Sequence, residues 1–255
     1  MAPMIPVVHP IPVLKDNYVW LIETDPGQGM IVDPGEAAPV MEVLHQRRLI
    51  PTHILLTHHH HDHIGGVESL ARHFGAKVVG SLQDAGRLPP LDLSVREGGS
   101  FSAGSLSCEV LETPGHTLGH VCYRIGDALF TGDTLFSLGC GRLFEGTAAM
   151  MWQSLLKIRG LAGVERLFPA HEYTLLNLGF VLKLDRDNSH LGPYRDWIFA
   201  QTDRNQPTLP TTMERERLCN PFLRADDADL KKVLAMDDES PVEIFAHVRT
   251  LRNQY

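Results

Sequence analysis

The spacing of apolar residues predicts a strand-rich first part of the chain with two helices inside it. Short apolar runs bounded by turn residues indicate strands at 7–14, 17–24, 30–33, 53–56, 77–80, 106–111, 121–125, 128–130 and 165–171. Helical spacing marks 38–48 and 67–74, and the polar, glycine-bearing residues 92–104 indicate a connection. Strands alternating with helices are typical of a layered α/β structure.

The strand pattern stops after about residue 173. Apolar residues then recur at helical spacing in five segments, 175–184, 194–202, 213–218, 227–235 and 242–253. Gly192-Pro193 and Asn220-Pro221 separate some of them. The pattern therefore predicts two domains, an α/β domain at 1–173 and an all-helical domain at 174–255.

Composition is ordinary for a globular protein of 255 residues, with 43% hydrophobic and 21% charged residues. The net charge of −8 argues against nucleic acid or an anionic membrane as the partner. The four cysteines form no CxxC pair, and no segment has the apolar length of a membrane span or the features of a signal peptide. We expect a cytoplasmic monomer with reduced cysteines.

The densest set of potential metal ligands lies between Thr57 and Gly66, where a predicted strand meets a predicted helix. Residues two apart in extended backbone project to the same side, so His58 and His60 can share one ion. Asp62 and His63, beyond the bend, can reach a second point nearby. Imidazole and carboxylate ligands suit zinc, iron or manganese better than a soft metal.

Two other histidines of this run, His59 and His61, face away on the same geometry. We interpret them as residues outside the metal shell or on the surface. The alternative for the whole run is a solvated, histidine-rich loop that only buffers metal.

Three more potential ligands follow strand ends. His116 comes after a Pro-Gly turn, Asp133 follows Gly132, and His171 ends the run at 165–171. Gly132 would allow backbone to approach a bound ion closely. His120, four residues after His116, is interpreted as a packing or hydrogen-bonding residue near the site.

Seven ligands are too many for one tetrahedral zinc ion and suit two ions that share a carboxylate. The simplest assignment gives one ion to His58, His60 and His116, gives the other to Asp62, His63 and His171, and makes Asp133 the bridge. Two such ions hold a water molecule and lower its pKa, so a metal-bridging hydroxide becomes the nucleophile beside Asp62 and Asp133. The predicted chemistry is metal-assisted hydrolysis, with zinc expected and iron or manganese as alternatives.

The pattern HxHxDH at residues 58–63 resembles the metallo-β-lactamase superfamily, whose fold is an αββα sandwich of two sheets between helices. Four further motifs, TPGHTLGH, LFTGDTLF, GCGRLFEGT and PAHEYT, join THHHHDHIGG in a resemblance to the glyoxalase II family that covers nearly the whole chain. This resemblance implies hydrolysis of S-D-lactoylglutathione to D-lactate and glutathione, the second step of methylglyoxal detoxification.

The same resemblance implies which residues bind glutathione, namely Arg142, Tyr173, Asn177, Arg249 and Arg252. Arg249 and Arg252 are three apart, so on a helix they share one face and can present two guanidiniums to an anion. Their alternative role is to complement the helix dipole at its C-terminal end. Phe144 stands where the family commonly has tyrosine, which removes one hydrogen bond worth about 1 kcal/mol.

A thioester suits this site because its leaving thiolate has a low parent pKa, so no separate general acid is needed. The alternatives are another hydrolase of the same fold, acting on a lactone, a β-lactam or a phosphodiester, and an iron-dependent sulfur or oxygen redox enzyme. A metal store without catalysis would instead hold several weakly bound ions.

Overall fold

Residues 5–255 are described by a computed structural model, in which the first sheet has six strands. They are β1 (Val8–Val13), β2 (Asn17–Glu23), β3 (Gln28–Val32), β4 (Ile50–Leu55), β5 (Lys77–Ser81) and β6 (Leu93–Val95), in that spatial order. The first three are antiparallel and β3 to β6 are parallel. The connections contain α1 (Ala38–Arg47), α2 (His61–Ile64) and α3 (Val67–Phe74).

The second sheet also has six strands, in the order β14-β13-β10-β9-β8-β7. Its strands are β7 (Ser100–Ala103), β8 (Leu106–Glu112), β9 (Val121–Ile125), β10 (Ala128–Gly132), β13 (Arg166–Pro169) and β14 (Thr211–Thr212). Only the β10–β13 pairing is parallel. Along the chain, β10 is followed by a small hairpin of β11 (Leu135–Phe136) and β12 (Gly139–Cys140) and then by α4 (Ala148–Arg159), before β13 begins.

The C-terminal part is helical, as predicted. It contains α5 (Thr174–Leu184), α6 (Leu191–Thr202), α7 (Met213–Cys219), α8 (Ala228–Val233) and α9 (Pro241–Gln254). The start of α9 has a capping box in which Ser240 and Glu243 satisfy each other's backbone N–H groups, with Pro241 in the first turn.

Side-chain alternation along the strands builds three apolar layers. In β3, Met30 packs between the two sheets, whereas its neighbour Ile31 packs under α1 and α3. In β10, Phe130 packs between the sheets and Leu129 faces α4 and the C-terminal helices. The order helices, sheet, sheet, helices confirms the predicted αββα sandwich.

Three local predictions were wrong. The segment 92–104 was taken for a connection but contains β6 and β7, because backbone pairing to β5 and β8 makes short strands of residues that are largely exposed. Helix α4 was not predicted, although its buried residues Met151, Leu155 and Ile158 have helical spacing. The strand pattern also continues past residue 173 in β14.

The histidine run differs in one detail from the predicted loop, because a short helix begins inside it at His61. His60 keeps extended backbone at the N-cap position of this helix, so Asp62 and His63 project from a helical turn. Within residues 5–255 the structure contains no helix long and apolar enough to span a bilayer.

Candidate metal centre

Four chain segments bring the predicted ligands to one edge of the sandwich. The loops after β4, β8, β10 and β13 carry them, and the parallel pairing of β10 with β13 sends both of their ends the same way. Val121 donates its N–H to Thr57 O at 2.9 Å, and Asn17 forms an isolated bridge with His171, so both sheets are joined beside the site.

The first group of potential ligands consists of His58, His60 and His116. Nδ1 of His60 lies 3.0 Å from Nε2 of His58 and 3.0 Å from Nε2 of His116. Such close imidazole nitrogens are what a shared cation requires.

The second group consists of Asp62, His63 and His171. Oδ2 of Asp62 lies 3.4 Å from Nε2 of His63 and 3.4 Å from Nε2 of His171. These three atoms also have the spacing of a single metal position.

Asp133 lies between the two groups. Its Oδ2 is 3.3 Å from Nε2 of His116, whereas its Oδ1 is 3.5 Å from Nε2 of His63 and 3.3 Å from Nε2 of His171. One carboxylate oxygen therefore faces each group, which is the arrangement that a bridging ligand needs.

Two buried atoms indicate that the residues fit cations. Among the described residues, Nε2 of His63 and Oδ1 of Asp133 have no hydrogen-bond partner. A buried polar atom without a partner costs about 1 to 3 kcal/mol, and a cation between these atoms would satisfy both. The donor set of imidazole and carboxylate suits a divalent ion of the zinc, iron or manganese type.

The pKa values of the buried histidines and of Asp133 depend on strong interactions among the charges of the site. Burial lowers the pKa of His63, but Asp133 and Asp33 outweigh burial and raise it well above its usual value. Burial raises the pKa of Asp133, but His171 and His63 outweigh it and hold the pKa well below its usual range. Burial and the neighbouring imidazoles lower the pKa of His58 well below normal, which keeps this ring neutral and able to bind metal.

Asp33 lies beside the candidate site, and the sequence interpretation missed it. It lies with His58 and His63 at ligand spacing, but its oxygens are engaged by Thr57 N–H at 2.8 Å, by the Thr57 hydroxyl at 2.6 Å and by Nδ1 of His63 at 3.0 Å. Asp33 therefore supports potential ligands and does not add a free oxygen to either group. The available signal was a carboxylate directly after a strand, as at Asp133.

The other histidines lie outside the two groups. His59 donates Nδ1 to Asp84 at 2.9 Å, and His61 is exposed. His120 is buried, and its Nε2 accepts the backbone N–H of Asp133 at 3.1 Å, in agreement with the predicted structural role. Gly132 has φ of +47°, and a Cβ there would lie 2.4 Å from Thr57 Oγ1, so a glycine at this position lets the backbone pass close to Thr57.

A cavity of about 350 Å³ opens beside the first group. All five residues expected to bind glutathione lie in its wall, together with Phe136, Cys140 and Leu176, which the sequence interpretation did not single out. Tyr173 stacks on the His171 ring at 4.7 Å, and Arg142 is exposed at the rim.

The two arginines of α9 are less available than predicted. Arg249 is only 6% exposed, donates Nη1 to Cys140 O at 2.7 Å and packs over the Phe222 ring at 5.1 Å. Arg252 donates Nε and Nη2 to Oδ1 of Asn177, both at 3.1 Å. Both guanidiniums reach the cavity wall, but each already has a partner in the protein.

Phe144 covers the first group from the solvent side. Its ring is 5.5 Å from the ring of His60 and 5.2 Å from that of His116, both edge-on, and the residue is 63% exposed. It contributes an apolar edge next to the reacting centre.

Comparisons with known proteins agree with this fold. A model of the metallo-beta-lactamase superfamily matches residues 14–171, and a model described as hydroxyacylglutathione hydrolase C-terminus matches residues 172–255. The crystal structure of the BLEG-1 B3 metallo-beta-lactamase is similar, with a TM-score of 0.65, 25% identity and coverage of 85% of this chain and 99% of that one. A crystal structure of TTHA1623 in a di-iron-bound form has a TM-score of 0.59, 25% identity and coverage of 86% and 100%.

The sandwich is thus that of a metallo-β-lactamase superfamily protein. A hydroxyacylglutathione hydrolase from Photobacterium profundum is 44% identical over 252 residues, which cover 97% of this chain and 99% of the relative. The chain belongs to the hydroxyacylglutathione hydrolase, or glyoxalase II, family.

Proposed function

We propose that this chain hydrolyses S-(2-hydroxyacyl)glutathione thioesters, with S-D-lactoylglutathione and water giving D-lactate and glutathione. The main support is the position of Asp133, whose two oxygens face two ligand groups beside a cavity with three arginines in its wall. Full-length similarity to named hydroxyacylglutathione hydrolases supports the choice of substrate.

Two divalent ions would be held by His58, His60 and His116 on one side, by Asp62, His63 and His171 on the other, and by Asp133 between them. When bound, such ions supply an acidified water as nucleophile and a Lewis acid for the thioester carbonyl. Zinc is our proposal for both positions, with iron or manganese as the alternatives.

The remaining residues position the substrate and exclude water. Phe144 and Phe136 give the cavity apolar edges, which limit solvent around the thioester. Burial and nearby carboxylates raise the pKa of Tyr173, so its hydroxyl keeps its proton and can donate to a peptide carbonyl. The glutathione thiol is a good leaving group, so the chain needs no acid next to the sulfur.

The anionic ends of glutathione would meet the arginines. Arg142, exposed at the rim, is our candidate for the contact with a carboxylate. Asn177 and Arg252 would act as one polar unit because their side chains are bonded to each other. Arg249 would contribute positive charge from behind the wall, since its Nη1 is committed to Cys140.

The decisive test is thioester cleavage by the purified chain carrying two equivalents of metal. We expect the ultraviolet absorbance of S-D-lactoylglutathione to disappear while free thiol forms in equal amount. R142A should raise KM by roughly tenfold or more, since a hydrogen bond to a charged group contributes about 1.5 to 3 kcal/mol. R195A, which changes a half-exposed arginine of α6 outside the cavity wall, is the matched control. A fully metallated protein that leaves the thioester intact but opens a lactone or a β-lactam would refute the proposal.

We further propose that this reaction is the second step of methylglyoxal degradation, in the cytoplasm, by a monomer. Four buried free cysteines support a reducing compartment. We place the boundary between the catalytic and helical domains at residues 173 and 174, where α5 begins. Sedimentation analysis of the holoenzyme tests the oligomeric state.

A further inference from the structure

The two ligand groups differ in the atoms that support them from outside. In the first group, Nδ1 of His58 lies 3.0 Å from the hydroxyl oxygen of Thr57. Nδ1 of His116 lies 2.8 Å from the backbone carbonyl of Arg142. Both partners are uncharged oxygen atoms.

In the second group, the outer nitrogen of each imidazole is hydrogen-bonded to a carboxylate. Nδ1 of His63 is 3.0 Å from Asp33, and Nδ1 of His171 is 2.9 Å from Oδ1 of Asp16. A carboxylate acceptor fixes the tautomer of a ligand imidazole and makes its other nitrogen a stronger metal ligand. The second group is therefore built differently from the first.

Asp16 belongs to the turn between β1 and β2, and this turn is bonded to the segment that carries His171. The N–H of Glu172 donates to Asp16 O at 2.8 Å, and the N–H of Tyr18 donates to Ala170 O at 2.7 Å. These backbone bonds fix the distance between Asp16 and His171 independently of the two side chains.

The next residue, Asn17, holds a different ligand of the same group. Its Nδ2 lies 3.0 Å from Oδ2 of Asp62 and 3.3 Å from the backbone oxygen of Asp62, and Asn17 is buried. One amide thus orients both the carboxylate and the backbone of a ligand that comes from a distant part of the chain.

We propose that Asp16 and Asn17 are positioning residues for the second cation, the one held by Asp62, His63 and His171. This inference rests on the two-cation site of the proposed function. The Asp16 carboxylate accepts a hydrogen bond from Nδ1–H of His171, which fixes the imidazole in the tautomer protonated at Nδ1. The lone pair of Nε2 then points to the position that His171 shares with Asp62. Asn17 keeps the Asp62 oxygen at that same position.

The test is metal retention by D16N, which keeps a hydrogen-bond acceptor of the same shape and removes the charge. Purified holoenzyme is dialysed against a chelator series, and metal equivalents per chain are counted by mass spectrometry. We expect D16N to lose one equivalent at a chelator activity roughly 10- to 100-fold lower than wild type does, since that is the usual effect of losing an outer support. The other equivalent should keep its wild-type affinity. N17A should lose the same equivalent.

Asp84 provides a matched control. Its carboxylate, like that of Asp16, is bonded to a histidine, but this histidine is His59, which lies outside both ligand groups. D84N should therefore retain both equivalents like wild type. Cobalt titration adds an optical readout, because only the spectrum of one of the two bound ions should change in D16N.

Two results would overturn the inference: unchanged retention in D16N, or parallel loss of both equivalents. Melting temperatures of the metal-free proteins show whether a loss of metal comes from misfolding. We expect metal-free D16N to melt close to metal-free wild type. The thioester assay is independent of these measurements. A wild-type chain that binds two ions and shows the D16N effect without cleaving thioester would refute the proposed function and leave the positioning role of Asp16 intact.

Discussion

Phe144 is the residue of the candidate site at which one added atom should change substrate affinity. Its ring lies against His60 and His116 at the mouth of the cavity and offers a bound peptide no polar group. F144Y adds a hydroxyl where glutathione would pass. We expect KM for S-D-lactoylglutathione to fall by roughly fivefold, the equivalent of one hydrogen bond of about 1 kcal/mol, with kcat within about twofold of wild type.

Steady-state kinetics of F199Y provides the comparison for this substitution. Phe199 is also exposed, but it lies on α6 and is not part of the cavity wall. F199Y should leave both constants unchanged. An F144Y enzyme with an unchanged KM would mean that the peptide does not pass Phe144.

At the scale of elements, the β11–β12 hairpin connects the cavity to the helical part. Its turn is held by Glu216 of α7, whose Oε2 accepts from Leu138 N–H at 2.8 Å and from Asn220 Nδ2 at 2.9 Å. Asn220 donates in turn to the carbonyls of Phe136 and Gly139. One buried carboxylate thus fixes the hairpin that carries Cys140 to the cavity wall.

E216A should loosen this hairpin without removing a substrate contact, because Glu216 is not part of the cavity wall. Several buried donors would lose their acceptor, so we expect the free energy of unfolding to fall by about 3 kcal/mol or more, as measured by denaturant titration. KM should rise more than kcat falls, because the wall moves and the ligand groups do not. D185A, which breaks a buried pair with Arg224 in the same helical part, should destabilise the protein but leave KM unchanged. Equal KM values in E216A and D185A would contradict a positioning role.

The same carboxylate predicts a pH dependence. Burial raises the pKa of Glu216 above its usual 4.5, although Thr211, Leu138 and Asn220 oppose the change. The folded state therefore holds the proton more tightly than the unfolded chain does, so unfolding releases a proton and a rise in pH favours unfolding. As pH rises from about 4.5 through the folded pKa, wild type should lose stability relative to E216Q. Denaturant titrations at several pH values measure the difference, and a pH-independent difference would show that Glu216 has no raised pKa.

At the scale of the whole molecule, the sequence predicted best those features that depend on side-chain chemistry at strand ends. The potential ligands, which are His58, His60, Asp62, His63, His116, Asp133 and His171, follow apolar runs whose ends meet at one edge of the sandwich. That convergence follows from topology alone. The prediction failed where backbone pairing decides structure: Leu93 is exposed, and β6 exists because its backbone pairs with β5.

Residues that support others were harder to predict than the potential ligands. Asp33 follows a strand, as Asp133 does, but the pattern does not separate a supporting carboxylate from a ligand. Asp16 and Asn17 are ordinary turn or strand-end residues by sequence, and the side-chain contacts of all three reach partners 24 to 155 residues away. The sequence also overestimated how freely Arg249 and Arg252 can contact a bound anion. Helical spacing places both on one face, but it does not show that Cys140 and Asn177 already accept hydrogen bonds from them.

The two predicted domains share one apolar core, which gives the last prediction. Leu129 of β10 and Leu155 of α4 pack in a single cluster with Phe222 and Phe245 of the C-terminal part. Arg159 of α4 also forms a paired ion contact with Asp226. A fragment of residues 1–173 would expose the outer face of the second sheet and of α4 to water, and each large apolar side chain so exposed loses about 1.5 to 3 kcal/mol of burial.

We therefore expect the 1–173 fragment to aggregate or to bind a hydrophobic dye without a cooperative melt, even though it contains all seven potential metal ligands. Supplying residues 174–255 as a separate chain should restore cooperative melting and metal retention, because the missing half of the core is returned. Calorimetry of the fragment, of the mixture and of the intact chain makes the comparison. A fragment that melts cooperatively at the temperature of the intact chain would contradict this prediction. It would mean that residues 1–173 fold without the C-terminal helices, and that these helices contribute only residues of the cavity wall.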